Sequence, residues 1–387
     1  MLVAIKETRD CDAANAAAGL DDLLQDIRKR RKEFEAQRFI SPDIIQGFKK
    51  AGVYRALVAR RFGGDEKSPA EFCRLIERIS QADGSAGWVA SFGIGGIYLA
   101  ALPLATLEKL YANGPDVVFA GGIFPPQPAE MVDGGFKVNG RWSWGSGSMG
   151  AEVVGAGILP KNGDGSGLPR MAVMPREKVQ VAPNWDVMGL LGTGSHDIVV
   201  KDVMVPEEWT FVRGGPASLD TPLYRYPTLS FAAQVLTVVG LGIARAAIDE
   251  VLGMAAGRAS VTGAPNLGER VYVQLEIAKI EAELRAARAW FYEAIDEVWQ
   301  VLVAGGKPSD HQVSMLRLST THASRVGADV ARRAQMLSGG TGVYESSPLA
   351  AQVRDAQMIT QHAFMGDITY QNAGAMLFGL KPLPGYL

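Results

Sequence analysis

Cysteine is nearly absent: Cys11 and Cys73 are the only two in 387 residues. Two cysteines without a Cys-x-x-Cys pair build no disulfide scaffold, which points to a reducing compartment, the cytoplasm. Histidine is almost as scarce. The four, His196, His311, His322 and His362, have no short ligand spacing between them, which argues against a zinc site. Charge of one sign is lacking too, with 39 Lys+Arg against 41 Asp+Glu and a formal net charge of −2. That balance gives no positive field for nucleic acid, and the one basic run, Arg28-Lys-Arg-Arg-Lys32, reads as the solvated face of a helix. No stretch reaches eighteen uninterrupted apolar residues, so no membrane span is expected. The opening Met1-Leu-Val-Ala-Ile-Lys6 is too short and too soon charged for a signal peptide. No G-x-S-x-G elbow is present, and the scattered histidines make no recognisable hydrolase triad.

What is there is an ordinary globular composition, 47% hydrophobic and 21% charged, long enough for two or three domains. The periodicity changes twice along it. Residues 1–116 read as helices: about 13–36, one after Ser41-Pro42 that the serine can cap, one after Ser68-Pro69, then Trp88 to Leu99 and Pro103 to Tyr111. Ile45 and Phe48, three apart, predict a shared buried face. Residues 117–221 read as strands: Val117–Ala120, Phe136–Trp144, Glu152–Leu159, Met171–Met174, Val179–Val181 and His196–Val205. Pro125-Pro126 and Asn162-Gly-Asp-Gly165 read as surface turns, and Asp133-Gly134-Gly135 as a hairpin return. Residues 222–387 read as four long helices, roughly Ser230–Gly257, Leu267–Ala304, Ser309–Leu337 and Pro348–Leu377. The second carries two apolar faces. Val271, Leu275, Ala278, Ala282 and Ala289 form one, and Ile280, Leu284, Phe291, Ile295 and Val298 the other, a pattern that suits a bundle with another subunit against it.

Gly145-Ser-Gly-Ser-Met-Gly150 satisfies the dinucleotide pattern G-x-G-x-x-G. That pattern needs a helix directly after it, whose N-terminus meets the phosphate. The next residues, Ala151 to Leu159, read as strand, so a Rossmann site is not expected. His196, His311 and His322 read as satisfied surface or core groups.

The three-part order and six strings resemble the acyl-CoA dehydrogenase superfamily over nearly the whole chain. The strings are Arg61-Phe-Gly-Gly64, Gly140-Arg-Trp-Ser-Trp-Gly-Ser-Gly147, Gly189-Leu-Leu-Gly-Thr-Gly-Ser195, Val203-Met-Val-Pro206, Gly339-Gly-Thr-Gly342 and Arg354-Asp355. Each is weak alone, and specific in this order and spacing. The resemblance implies an N-terminal helical domain, a small central β-barrel or sheet domain, a C-terminal four-helix bundle, a flavin held between sheet and bundle, and a tetramer. Where dehydrogenases carry Tyr-Glu-Gly-Thr after Arg-Asp, counting places His362 and Ala363 at the tyrosine and glutamate positions. An alanine takes no proton, so the dehydrogenase base is missing. Glu250 or Glu269 would have to replace it for the alternative, a dehydrogenase with a displaced glutamate. A non-catalytic ligand-binding relative is the third reading.

His362 with the Ser146-Gly147 ending resembles instead the two-component flavin-dependent monooxygenases, whose oxygenase component takes reduced FAD or FMN from a separate NAD(P)H:flavin reductase. Those enzymes hydroxylate a small aromatic molecule with O2 through a C4a-hydroperoxyflavin. By that resemblance Ser146 accepts the flavin N5–H bond, and the backbone around Trp144 and Gly147 meets the flavin's polar edge. Thr193 and Ser195 bind its ribityl or phosphate part; Arg258, Gly340 and Thr341 reach a phosphate of a neighbouring subunit. His362 faces the reactive side, either hydrogen-bonding the peroxide or taking a proton from the substrate, with Asp367 orienting it or reaching the substrate. Trp88, Phe92, Trp142, Trp144 and Met188 supply walls. Relatives acting on phenols carry a histidine or aspartate after Ser-Gly and an arginine after Pro-Leu. Here stand Ser148-Met-Gly-Ala151 and Pro348-Leu-Ala-Ala-Gln352, which favours a neutral heteroaromatic such as indole.

Overall fold

The computed structural model describes residues 2–160, 169–255 and 265–387, with side-chain burial from residue 19 onward. Six helices come first: α1 (Leu2–Gln37), α2 (Pro42–Lys50), α3 (Pro69–Ala82), α4 (Gly84–Ser91), α5 (Gly95–Leu99) and α6 (Leu104–Leu110). Seven strands come next: β1 (Phe119–Val132), β2 (Gly135–Trp142), β3 (Val153–Pro160), β4 (Arg170–Pro175), β5 (Gln180–Ala182), β6 (Asp197–Pro206) and β7 (Thr210–Val212). The chain then returns to helix with α7 (Thr228–Ala255), α8 (Val271–Val303), α9 (Asp310–Leu337), α10 (Pro348–Thr360) and α11 (Ile368–Leu377). Two compact units result: Met1–Glu66, Leu102–Trp185 and Leu191–Arg213 form one, and Lys67–Ala101, Asp186–Leu190 and Gly214–Leu387 the other.

The first unit is built on a seven-stranded sheet in the order β5-β6-β2-β1-β3-β4-β7. Its hairpin between β1 and β2 closes at Val132↔Gly135 across Asp133-Gly134, and Gly134, with φ of 76°, supplies the left-handed turn residue. β1 runs much further than the sequence suggests, straight through Pro125-Pro126. Proline donates no ladder hydrogen bond, yet none is needed here, because the pairing with β3 shifts register between Gly122 and Gln127 and leaves the prolines out of it. One face of the sheet packs Phe136, Val138, Trp142, Val154, Ile158, Ile198 and Val200 into a core. Trp142 is fully buried, and its indole N–H donates to the Gly157 carbonyl at 2.8 Å. It is a core residue, not a substrate wall. In α2, Ile45 and Phe48 share the buried face their spacing predicts, while the Ser41 hydroxyl donates to Glu33 instead of capping the helix. The basic run lies on α1, where Arg30 bonds Asp26, Glu33 and Asp43.

In the second unit α3 starts with a full capping box between Ser68 and Glu71. The expected helix from Trp88 to Leu99 is divided instead into α4, a 3₁₀ turn at Phe92–Ile94, and α5. α7 is long and apolar enough to cross a membrane, but 89% of its most apolar window is buried inside the protein, so it reads as a core helix. Close crossings need its glycines. A Cβ on Gly242 would stand 2.5 Å from the Glu77 carbonyl oxygen of α3, and one on Gly327 of α9 would stand 2.9 Å from that of Gly240. In α8 the face with Ile280, Leu284, Phe291, Ile295 and Val298 is buried, while Val271, Leu275, Ala278, Ala282 and Ala289 face solvent. The helix expected over Pro348–Leu377 breaks: α10 ends at Thr360, and a 3₁₀ turn at Ala363–Met365 precedes α11.

Candidate active site

The first cluster lies at the end of β2 in the sheet unit. Trp142 closes the strand, and the chain turns through Gly145 to Gly150 with no helix after it, which removes the dinucleotide reading structurally. The Gly145 N–H donates to the His196 carbonyl at 2.9 Å, and the Gly147 N–H to the Thr193 carbonyl at 3.0 Å. These two bonds lash the Gly145–Gly150 turn to the loop before β6, the other glycine-rich string of the sequence. Three hydroxyls meet as a result. Ser146 Oγ lies 2.6 Å from Ser195 Oγ, which lies 2.7 Å from Thr193 Oγ1, and all three residues are buried. Beside them Trp144 stands 64% exposed with φ of 62°, a left-handed backbone rare for a bulky residue and costing about 1 kcal/mol or more. The result is an aromatic held open to solvent in a strained backbone, next to a buried hydroxyl row.

His196 belongs to the scaffold of this cluster. Its Nδ1 accepts the Asn184 and Trp185 N–H groups at 3.1 and 3.0 Å, and burial holds its pKa below the usual imidazole value. It is a satisfied core histidine, as its place among alternating valines suggests.

The second cluster lies in the helical unit and depends on the break after α10. His362 is not on a helix. It is the N-cap of the 3₁₀ turn, and its Nδ1 accepts the Phe364 N–H at 3.3 Å. With Nδ1 accepting, the neutral ring carries its proton on Nε2. Burial pushes the pKa down to about 4, so the ring is neutral through the physiological range. Trp88 approaches edge-on at 6.2 Å between ring centroids, and Phe364 lies at 4.7 Å. Nε2–H is therefore the group His362 offers, a donor in an aromatic setting. Proton abstraction from substrate, the other role expected of it, does not suit this tautomer.

Asp367 does not orient His362. Its carboxylate pairs with Arg325 of α9 at 2.7 Å, and its side chain is 86% exposed. Five positions along a broken helix carry it away from the imidazole. Phe92 opens the 3₁₀ turn after α4 and is half-buried; Met188 is exposed in the segment 186–190. Gly340 and Thr341 lie on the 3₁₀ turn between α9 and α10, where Gly340 is exposed and the Thr341 hydroxyl donates to the Ser338 carbonyl at 2.6 Å. Arg258 lies outside the described residues. Glu269, a substitute base in the dehydrogenase reading, is spent on a capping box at an exposed turn, its carboxylate accepting the Asn266 N–H.

Two contributors escaped the sequence reading. Phe364 packs on His362, and the only signal was the His362-Ala-Phe364 spacing. Asp355, buried, accepts the Leu190 N–H at 2.5 Å and fixes the segment carrying Met188. It was visible as half of the Arg354-Asp355 string, without a role. Among the described residues, no group of three or more His, Cys, Asp or Glu is placed to hold a metal.

Residues 234–367 match the family described as Acyl-CoA dehydrogenase, C-terminal domain. The chain is 62% identical over 383 residues, 98% of each chain, to Indole-3-acetate monooxygenase of Pseudomonas putida. It is 28% identical over 361 residues to the Flavin-dependent monooxygenase, oxygenase subunit HsaA, of Rhodococcus jostii, covering 89% of this chain and 93% of that one. Among solved structures, the 3-HSA hydroxylase from Rhodococcus sp. RHA1 superposes with a TM-score of 0.88 at 26% identity, over 96% of this chain and 99% of that one.

Proposed function

Because the chain belongs to the flavin-dependent monooxygenases that serve as oxygenase components on an acyl-CoA dehydrogenase fold, we propose that it hydroxylates an indole bearing an acetate side chain. It uses reduced flavin and O2. The bound flavin supplies two electrons, one oxygen atom goes to the ring, and the other leaves as water. FAD is slightly preferred to FMN in this proposal, and a separate NAD(P)H:flavin reductase supplies either one.

The observation that carries the reading is Trp144, strained and exposed beside the buried hydroxyls of Ser146, Ser195 and Thr193. A flat face next to a hydroxyl suits an isoalloxazine edge, so the residues present fit the group. Ser146 accepts the N5–H bond, and Gly147 and Trp144 offer backbone groups to the same edge. Trp88 and Phe92 shape an apolar setting for the substrate ring, with Met188 as a further wall. His362 would donate from Nε2 to the reacting oxygen, a donor in a half-buried aromatic setting between Trp88 and Phe364. Arg258, Gly340 and Thr341 serve a flavin phosphate of a neighbouring subunit in a homotetramer, which works in the cytoplasm. Gly340 offers an open backbone, in keeping with that role.

Stopped-flow mixing of protein and reduced flavin with oxygenated buffer tests this. A species absorbing in the near ultraviolet that outlasts free-flavin oxidation is expected, and indole-3-acetate should give a product one oxygen atom heavier. Absence of that species with both FAD and FMN sinks the oxygenase reading. Hydroxylation of simple phenols in preference to indole-3-acetate sinks the substrate assignment alone. Ser146→Ala should shorten the lifetime of the species about tenfold or more and raise the share of O2 released as hydrogen peroxide. An unchanged lifetime removes Ser146 from the site.

A further inference from the structure

His196 ties together four segments of the sheet unit. Its Nδ1 accepts the main-chain N–H groups of Asn184 at 3.1 Å and Trp185 at 3.0 Å. With Nδ1 filled by two donors, the bond that the ring makes to the Arg38 main chain comes from Nε2–H. Arg38 lies just past α1, in a left-handed backbone with φ of 65°. Through its own main chain His196 holds the turn of Ser146, because its carbonyl accepts the Gly145 N–H at 2.9 Å. Asn184 returns the contact at the start of β6, its side-chain oxygen accepting the Asp197 N–H at 2.9 Å. One buried imidazole thus joins the α1–α2 junction, residues 184–185, the Gly145–Gly150 turn and the loop that carries Thr193 and Ser195.

This set of bonds requires a neutral ring with its proton on Nε2. A proton added at Nδ1 would face two N–H donors where a lone pair stood, and a main-chain N–H cannot turn to accept. Burial weighs most heavily against the cation; the Arg38 carbonyl and the Asp197 carboxylate favour it, and the Arg38 guanidinium opposes it. That carboxylate is itself engaged by Arg141 of β2 at 2.6 Å. A ring that backs away from Asn184 and Trp185 carries its own carbonyl with it, and the Gly145 N–H hangs on that carbonyl. We propose that His196 is a positioning residue for the flavin: its neutral ring pins the Ser146 turn to the Thr193–Ser195 loop, and its protonation releases that turn, so that flavin binding weakens in mild acid. This deepens the monooxygenase reading, on which it rests, by naming the group that decides when the site is formed. The sign follows from linkage. Flavin takes the neutral form, so below the midpoint of the ring, itself under the usual 6.5, each flavin bound expels a proton and Kd climbs toward about tenfold per pH unit.

The test is anaerobic titration of the full-length protein with reduced FAD and FMN between pH 8.0 and 4.5, in the wild type and in His196→Asn. The carboxamide oxygen of the variant accepts at the place of Nδ1 and does not titrate. Its bond to Arg38 is lost, so Kd at pH 8.0 should rise about two- to threefold. Titration of the flavin and of every other group is common to both proteins and cancels in the ratio of the two Kd values. That ratio should be level at high pH and then swing in favour of the variant as the pH falls, toward a slope of about tenfold per unit. His196→Leu, which has no acceptor, should raise Kd about tenfold at pH 8.0 and speed hydrogen exchange at the Asn184 and Gly145 amides. A ratio that stays level down to pH 4.5 overturns the proposal and leaves His196 a merely structural residue. Wild-type affinity in His196→Leu at pH 8.0 overturns it as well; if that variant does not fold, the asparagine ratio decides alone. A wild type that binds neither flavin at pH 8.0 sinks the monooxygenase reading itself, a result distinct from any change of slope.

Discussion

His362 sets the residue-scale chemistry through where its proton sits. The Phe364 N–H occupies Nδ1, and burial against Trp88 and Phe364 makes the charged form costly. An imidazole held at a pKa of about 4 should show no titration of its ring resonances between pH 5.5 and 8, while an unperturbed one would pass its midpoint near 6.5. A midpoint above 6 for His362 would refute this. The same displacement has a stability consequence. Below about pH 6.5 the unfolded chain takes up a proton that the folded chain refuses until about pH 4, so stability falls as pH drops through that window. Replacing the residue by glutamine, which cannot titrate, should flatten that part of the stability–pH curve. Denaturant melts at pH 7.0 and 4.5 should then differ by about 1–3 kcal/mol less in His362→Gln than in the wild type. Equal differences would mean that folding leaves the His362 pKa where it stands in the unfolded chain, which contradicts the displacement.

At the scale of elements, the pairing of α3 with α8 includes one buried polar contact beside the exposed Arg74–Asp296 pair. Glu77, 4% exposed, accepts from Arg288 Nε and Nη2 at 2.6 and 3.0 Å and from the Tyr292 hydroxyl at 2.7 Å. Removing the cation leaves a buried carboxylate with the phenol alone, so Arg288→Ala should cost about 3 kcal/mol, somewhat less to the extent that water reaches the gap. Replacing the acid as well, in Glu77→Leu with Arg288→Leu, should recover part of that loss, because no charge is then left unpaired. Urea denaturation of both variants checks the sign, and a double variant less stable than Arg288→Ala would contradict it. Such contacts are invisible in a single sequence, since the partners stand 211 residues apart. The elements themselves were largely legible: the β1–β2 hairpin at Asp133-Gly134, the helix start at Ser68-Pro69, the buried face of α8. Two were not. Nothing without a proline announces the stop at Thr360, and Gly366 is a weak signal, yet that stop is what makes His362 a cap and sends Asp367 to Arg325. Pro125-Pro126 misled in the opposite direction, because a register shift absorbs them within β1. In the site, the positions of Ser146, Thr193 and Ser195 came from motif strings. Their mutual bonding came only from the folding of two loops onto one another.

For the whole molecule, the question is what covers the apolar surface that a single chain leaves open. On α8, Val271 is 77% exposed and Leu275 56%, with Tyr272 between them at 58%; near α11, Leu377, Phe378 and Leu380 are each 64% exposed or more. Scattered apolar residues are normal on a surface, but a helix with a second apolar stripe along most of its length is not. Ala278, Ala282 and Ala289 continue that stripe with side chains small enough for another helix to approach closely. The proposed homotetramer accounts for it, each chain covering such a stripe on a neighbour. Light scattering on the eluting protein should therefore give a mass four times the 41.3 kDa chain. Leu275→Glu, at a position that costs an exposed helix of a monomer little, should shift that mass toward dimer or monomer by placing charges in a closed apolar contact. If the assembly survives intact in Leu275→Glu, the stripe lies outside the interface; if the wild type elutes as a monomer, the α8 face is open in solution and no neighbouring subunit is there to serve the flavin phosphate.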